Sequence, residues 1–346
     1  MHRIAILRKH NPSFASASIK HHLYETEMID RYGVMGHPIG HTKSPFIHTR
    51  FAKQTGQSTE YSAMHVLPGE FAQAIAAFQA KGGKGLSITL PFKEEAKDLV
   101  EVLTSRARRA NSVNTIRFDE SGEKYGDNTD GIGLIRDLQI NHRISMAGQR
   151  ILLLGAGGAA RGVIGPLLDE RPKKLIIANR TPEKARTLAA QFLSERFLPE
   201  KALSELSQKD IQKVSIKGCG LDEIGSESFD LIVNATSASL EGRIPPLPDT
   251  VLRAGGSCYD LMYDVNRPTA FVSWGKQHGA SRSVDGLGML VEQAAESFYY
   301  WRKVRPDTKP VIAALRNAQS LMRNHDYPSA RYGRIISRSK IINVAR

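Results

Sequence analysis

The stretch Arg150-Ile-Leu-Leu-Leu-Gly155-Ala-Gly157-Gly158-Ala-Ala160-Arg161-Gly162 constrains the fold more than any other part of the chain. Ile151 to Leu154 form an unbroken apolar run, the pattern of a strand buried on both faces. Glycines follow at once, and then Val163, Ile164, Leu167 and Leu168 recur at helical spacing. The segment reads as strand, tight turn, helix. Gly155-x-Gly157-x-x-Ala160 has the spacing of a dinucleotide-binding turn with alanine in the third slot. Gly155 permits the turn, Gly157 lets a pyrophosphate approach the backbone, and Ala160 lets helix and strand pack closely. The helix start adds free N–H groups and a partial positive charge. Gly155, Ala156, Gly157, Gly158 and Ala159 are therefore the candidate phosphate cradle. The same glycines also occur in ordinary strand-to-helix turns, so the spacing alone does not establish a nucleotide site.

The next unit sharpens the reading. Lys174–Ala178 has the composition of a second strand, and it runs into Asn179-Arg180-Thr181-Pro182-Glu183-Lys184. An Asp or Glu at this point would hold a ribose 2′-hydroxyl. Here Asn179, Arg180, Thr181 and Lys184 supply an amide, two cations and a hydroxyl, which suit a 2′-phosphate. Thr181 and Pro182 are also the residue types of a helix N-cap and first helical position. The expected cofactor is NADP rather than NAD.

At 346 residues, with 41% hydrophobic and 24% charged residues, the chain has the make-up of a two-domain globular protein. Its net charge of +13 is uneven: residues 316–346 hold seven Lys/Arg against one acid. The milder excess elsewhere suits anionic ligands, and a nucleic-acid role would have to reside mainly in the tail. Cys219 and Cys258, the two cysteines, form neither a disulfide framework nor a metal-spaced cluster. A reducing, cytoplasmic setting and no metal are expected. No apolar run approaches the length of a membrane span.

The rest of the chain carries hydroxyls, amides and charges at element ends. Arg31–Gly36 reads as a first strand, followed by the loop His37–His41. Thr42-Lys43-Ser44-Pro45 opens a helix bearing Phe46, Ile47, Phe51 and Ala52, with Ser44 as the expected N-cap. Hydroxyls at a helix start also bind carboxylates, so Thr42 and Ser44 are candidates for holding an acid. A strand over Glu60–His65 and a helix over Glu70–Gln79 lead to Leu86–Phe92 and then Lys93. Lys93 stands just past a strand end at a helix start. Such a lysine is usually a surface charge, yet short βα loops are where α/β proteins place reactive groups. Asn114 and Asp130 suit a loop or cap as well as a site. A helix over Ile132–Leu138 crosses into the nucleotide unit. Further strands are expected over Phe229–Thr236 and Gly256–Leu261, with Tyr263 just beyond. A long helix then carries Leu290, Ala294, Phe298 and Trp301 on one face, with Gln293 beside them. Gln293 suits a substrate contact or an interhelical hydrogen bond.

Together these stretches resemble the shikimate dehydrogenase family. The resemblance rests on His41-Thr-Lys-Ser-Pro45, Ile88-Thr-Leu-Pro-Phe-Lys93, Val113-Asn-Thr115, Gly126-Asp-Asn-Thr-Asp-Gly131, the glycine loop, Asn179-Arg-Thr181 and Asp285–Gln293, in order, over about residues 30–317. It implies an α/β fold with an N-terminal α/β substrate-binding catalytic domain at residues 28–130, completed by C-terminal helices at 287–317. A Rossmann-like NADP-binding domain with a parallel sheet, residues 131–286, lies between, and the active site is the cleft joining the two. The implied reaction is the reversible NADP-dependent reduction of 3-dehydroshikimate to shikimate, on the route to chorismate and the aromatic amino acids. By the same resemblance Thr42, Ser44, Thr89, Asn114, Asp130 and Gln293 hold the substrate, and Tyr263 lies near its ring. Leu261 and Gly286 lie at the nicotinamide end. Lys93 and Asp130 are the catalytic pair, Lys93 exchanging the proton and Asp130 orienting it. The sequence departs from the family pattern at Thr42 (usually Ser), Ser87 (often Asn), Asn111-Ser112 (commonly Gly-Ala) and Asp264 (usually Pro).

Two other readings stay open. A quinate/shikimate dehydrogenase using NAD as well as NADP would need room near Thr42 and Ser44 for an extra hydroxyl. Nucleic-acid binding would use the tail, where Arg331, Arg334, Arg338 and Lys340 cluster near Tyr327 and Tyr332 without a recognised binding module. Residues 1–27 and 318–346 lie outside the resemblance and read as disordered extensions, with Met28 as an alternative start. The expected partner is a small-molecule substrate, with no membrane role and a homodimer allowed.

Overall fold

The computed structural model describes residues 29–193, 215–264 and 266–324. The segment 1–27, Met28 and the tail beyond Asn324 lie outside the described residues.

Two six-stranded sheets organise the described residues. The first contains β1 (Asp30–Gly36), β2 (Thr59–His65), β3 (Gly83–Ile88), β4 (Val102–Leu103), β5 (Thr115–Phe118) and β6 (Lys124–Asp127), in the order β2-β1-β3-β5-β6-β4. β1 pairs in parallel with β2 and β3, whereas β5 runs antiparallel to β3 and β6. Parallel neighbours need crossover segments. Helices α1 (Ser44–Thr55) and α2 (Phe71–Ala80) provide them. Alternate residues of β1 reach opposite faces: Met35 packs with Phe71, Leu86 and Ile88, and Tyr32 and Val34 pack with Tyr61 and Trp301. The short helices α3 (Lys93–Asp98) and α4 (Ser105–Ala110) follow β3 and β4.

The second sheet contains β7 (Arg150–Leu154), β8 (Lys174–Asn179), β9 (Ile216–Gly220), β10 (Phe229–Asn234), β11 (Leu252–Asp260) and β12 (Arg282–Asp285). All its pairings are parallel, in the order β9-β8-β7-β10-β11-β12. This is the doubly wound dinucleotide-binding order, whose direction reverses between β7 and β10. Ile151 and Leu153 enter one apolar cluster, Leu152 and Leu154 another on the opposite face, and all four are 0% exposed. Helices α6 (Gly158–Asp169), α7 (Pro182–Leu193) and α8 (Ala270–Gln277) cover the sheet.

The two sheets meet across α5 (Asp130–Arg136), which is packed between α6 and the long helix α9 (Leu287–Arg302). Glycines make the approach possible: a Cβ on Gly131 would lie 2.6 Å from the Gly162 carbonyl oxygen, and one on Gly133 would lie 2.6 Å from Gln293 Cβ. The helix expected from Ile132 therefore begins at Asp130, and it ends in a π turn over Asp137–Asn141. The last helix, α10 (Lys309–Asn324), runs past residue 317, so the backbone of 318–324 is helical and not part of a disordered tail.

Candidate active site

The functional side chains collect at the C-terminal ends of β1 and β3 and on the segments flanking β5 and α5. Lys93 opens α3, and its Nζ donates to Asp130 Oδ2 at 2.5 Å. Asp130 is the first residue of α5, where the helix dipole favours an anion. Asn114 Nδ2 donates to the other carboxylate oxygen, Oδ1, at 2.8 Å. Asn114 Oδ1 in turn accepts from the Thr129 backbone N–H and the Thr115 hydroxyl, both at 2.9 Å. Asp130 therefore cannot rotate without breaking a bond to Lys93 or Asn114. Gln293 Oε1 accepts from the Thr129 hydroxyl at 3.3 Å, and its Nε2 donates to the Leu290 carbonyl at 2.8 Å. Gln293 is thus an interhelical hydrogen-bonding residue at the edge of the same cluster.

Thr42 and Ser44 sit together at the start of α1. Ser44 is not the N-cap: Lys43 occupies that position with no side-chain cap, because Pro45 already fills the first turn. Thr42 Oγ1 instead accepts the Ser44 backbone N–H at 3.3 Å and donates to Ser44 Oγ at 3.2 Å. Thr89 follows β3, its methyl group lying over Gly36 at the end of β1, where a Cβ would collide with it. Tyr263 is partly buried against the cluster of Ile47, Phe51 and Leu287. Burial, with the Asp285 charge nearby, pushes its phenol pKa up and keeps it a neutral donor.

Sequence reasoning missed three contributors. Tyr61 in β2 donates to Ser87 Oγ at 2.8 Å and also hydrogen-bonds Ser44, and burial pushes its phenol pKa upward. Ser87, a departure from the family pattern, is thereby occupied. Ser297, one helical turn from Gln293, joins Thr115 at 2.7 Å and Thr129 at 3.1 Å. Arg106 grips Asp127, which precedes Asp130 by three residues. These residues carry no motif; only burial of their polar atoms, invisible in the sequence, marks them.

The nucleotide side lies at the switch between β7 and β10. Gly155 has φ +105°, and a Cβ there would lie 3.2 Å from the Ala235 carbonyl at the end of β10. A side chain would be strained by the backbone and crowded by its neighbour. Cβ positions at Gly157 and Gly158 point into open space, which is what a phosphate approaching the backbone needs. Ala156 and Ala159 pack partly against the core beneath. Asn179 donates to the Thr181 carbonyl at 3.0 Å, shaping the loop before α7. Arg180, Thr181 and Lys184 are exposed. Among the described residues neither cation has an ion-pair partner, because Glu183 and Glu223 are taken by Arg186. Leu261 and Gly286 touch: a Cβ on Gly286 would collide with the Leu261 carbonyl. The residues present therefore fit a nucleotide with a phosphorylated ribose. No group of three or more His, Cys, Asp or Glu among the described residues could hold a metal ion.

Family models match along the same segments. The shikimate dehydrogenase substrate binding domain matches residues 34–116, the shikimate/quinate 5-dehydrogenase model 138–219, and the shikimate 5′-dehydrogenase C-terminal domain 286–316. Over 294 residues the chain is 53% identical to the shikimate dehydrogenase (NADP(+)) of Nitrosococcus oceani, an alignment covering 85% of this chain and 98% of that protein. The chain belongs to the shikimate dehydrogenase family. The enzyme of the same name from Alkalilimnicola ehrlichii is 51% identical over 289 residues, covering 84% of this chain and 99% of its own. Shikimate 5-dehydrogenase from Thermus thermophilus, solved with NADP(H) and shikimate, superposes with a TM-score of 0.70 at 29% identity, covering 84% and 100% of the two chains. Membership makes this chain an α/β oxidoreductase. No described helix is long and apolar enough to cross a membrane.

Proposed function

We propose that the chain catalyses the reversible NADP-dependent reduction of 3-dehydroshikimate to shikimate. The observation that carries this reading is the 2.5 Å contact of Lys93 with an Asp130 that is itself held by Asn114. NADPH, when bound, supplies the hydride for C3. As that carbon is reduced, negative charge develops on its oxygen, and the Lys93 ammonium stabilises it and donates the proton. In the reverse direction the neutral Lys93 amine accepts that proton. Asp130 aims Lys93 and accepts from a ring hydroxyl of the substrate. Thr42 and Ser44 donate to the carboxylate, Thr89, Asn114 and Gln293 hold ring hydroxyls, and Tyr263 lies beside the ring. Gly155 to Ala159 cradle the pyrophosphate, Asn179, Arg180, Thr181 and Lys184 hold the 2′-phosphate, and Leu261 and Gly286 bound the nicotinamide.

In this reading residues 28–130 with 287–317 form the substrate domain and 131–286 the NADP domain. The protein works in the cytoplasm, a setting supported by its two buried free thiols, and a homodimer would appear as twice the chain mass in sedimentation. The test is absorbance at the NADPH band with shikimate or quinate, each paired with NADP or NAD. Turnover with shikimate and NADP alone is expected. Comparable turnover of quinate with NAD would move the protein to the broader quinate/shikimate branch, and silence in every pairing would refute the assignment.

A further inference from the structure

Helix α4 belongs to no sequence motif, yet two of its arginines tie together the two halves of the site. At its start, Thr104 caps the helix by accepting the Ala107 N–H at 3.2 Å and donates to Asp127 Oδ1 at 2.5 Å. Arg106 also binds Asp127 and reaches Glu296 Oε1 at 2.9 Å. Asp127 is 0% exposed and leads directly to Asp130, while Glu296 lies on α9 with Gln293. The front of α4 is therefore bonded to both segments that carry substrate-site residues.

Its last turn is bonded to the nucleotide unit. Arg109 forks onto Asp169, Nη1 to Oδ2 at 2.7 Å and Nη2 to Oδ1 at 3.0 Å, and Nη2 also donates to the Gly165 carbonyl at 3.1 Å. Gly165 leaves space for this seat: a Cβ there would lie 3.1 Å from the guanidinium carbon. The paired bonds of a planar guanidinium fix direction as well as distance. Asp169 and Gly165 belong to α6, whose first residues form the phosphate cradle. Helix α4 thus bonds the cradle helix at one end and the Asp130 segment at the other, alongside the direct packing of α5 on α6.

We propose that α4 is a strut coupling cofactor binding to substrate binding, with the Arg109–Asp169 fork as its link. A phosphate group seated at the start of α6 biases the position of that helix. Arg109 carries the bias to α4, and Thr104 and Arg106 carry it to Asp127 and so to Asp130. Arg109 is a positioning residue, and the coupling is reciprocal by linkage. The inference rests on the functional reading above.

The experiment titrates shikimate calorimetrically into the full-length protein, alone and with saturating 2′-phospho-ADP-ribose. This fragment has the pyrophosphate and 2′-phosphate but no nicotinamide to touch the substrate, so any coupling passes through the protein. Wild-type protein is expected to bind shikimate about 5-fold or more tightly with the fragment present. In Arg109→Gln and in Asp169→Asn that factor falls by at least about half, the direct packing of α5 on α6 carrying what remains. Each ligand's affinity alone and the melting temperature stay unchanged, and the double variant is no worse than either single one. Coupling that is undiminished in the variants overturns the inference. So does a variant that loses the same affinity for either ligand alone. Wild-type protein that turns over shikimate but shows no coupling overturns this inference only. Wild-type protein that binds the fragment but not shikimate overturns the functional reading, and this inference with it.

Discussion

The Lys93 and Asp130 side chains keep 22% and 10% exposure. In the proposed mechanism Lys93 acts on charge that exists only in the transition state. Replacing it should therefore lower kcat more than it raises KM. Steady-state kinetics of Lys93→Ala with shikimate and NADP are expected to show kcat down about 10²–10⁴-fold, the range for a positioned proton donor. An unchanged kcat would remove Lys93 from the mechanism. In the same proposed reading Arg180 acts at the other end. Its charge has no counter-ion among the described residues, so its gain comes from the ligand phosphate. Arg180→Ala is expected to raise KM for NADP about 10-fold or more while changing KM for NAD little. Equal effects on the two cofactors would count against 2′-phosphate recognition.

Elements are held at the site by glycines facing side chains. Gly288, in the first turn of α9, leaves no room for a Cβ beside the Asp137 carboxylate. That carboxylate is 0% exposed and accepts from Tyr259 Oη at 2.6 Å and Asn141 Nδ2 at 2.8 Å. Two effects of Gly288→Ala oppose each other. Alanine favours the helix by about 1 kcal/mol, whereas overpacking and displacement of a bonded buried acid cost more. The collision is expected to win, with a net destabilisation of about 1–3 kcal/mol read from urea unfolding. A more stable variant would show that α9 can move aside. The same scale explains the Ser44 correction. Ser-Pro is a cap signature in the sequence, but the helix starts at Ser44 itself, and its hydroxyl turns to Thr42 and Tyr61 instead.

Across the whole molecule, one buried histidine ties stability to pH. His48 is 2% exposed and stacks on Tyr61 with ring centres 4.1 Å apart. Burial lowers its pKa from 6.5 to about 3, so the folded protein keeps it neutral. Above pH 6.5 the histidine is neutral in both folded and unfolded chains and contributes nothing to the slope. As pH falls from 6.5 towards 3, the unfolded chain takes up a proton that the folded chain refuses, and stability drops. The full window corresponds to about 5 kcal/mol. The urea midpoint of the wild type should therefore fall more steeply between pH 6.5 and 4 than that of His48→Phe. Parallel slopes would show that carboxylates alone set the acid limit.

The local pattern of the chain already specified the nucleotide unit. Four consecutive apolar residues ended by glycines have the pattern of a strand covered on both faces, and Gly155 and Gly157 meet backbone demands that act within a few residues. Lys93, Asn114 and Asp130 were singled out by the resemblance to the family, their positions at element ends alone being equally those of a surface charge, a loop residue and a cap. What the sequence left open was which of these meet. Lys93 and Asp130 come together because β3 and β6, which lead to α3 and α5, both pair with β5, and Gln293 reaches Thr129 and Asn114 because Gly133 lets α9 close on α5. Tyr61, Ser297, Arg106 and Arg109 were silent in the chain for the same reason. A polar side chain acquires its role from the partner it is buried with, and long-range packing chooses that partner.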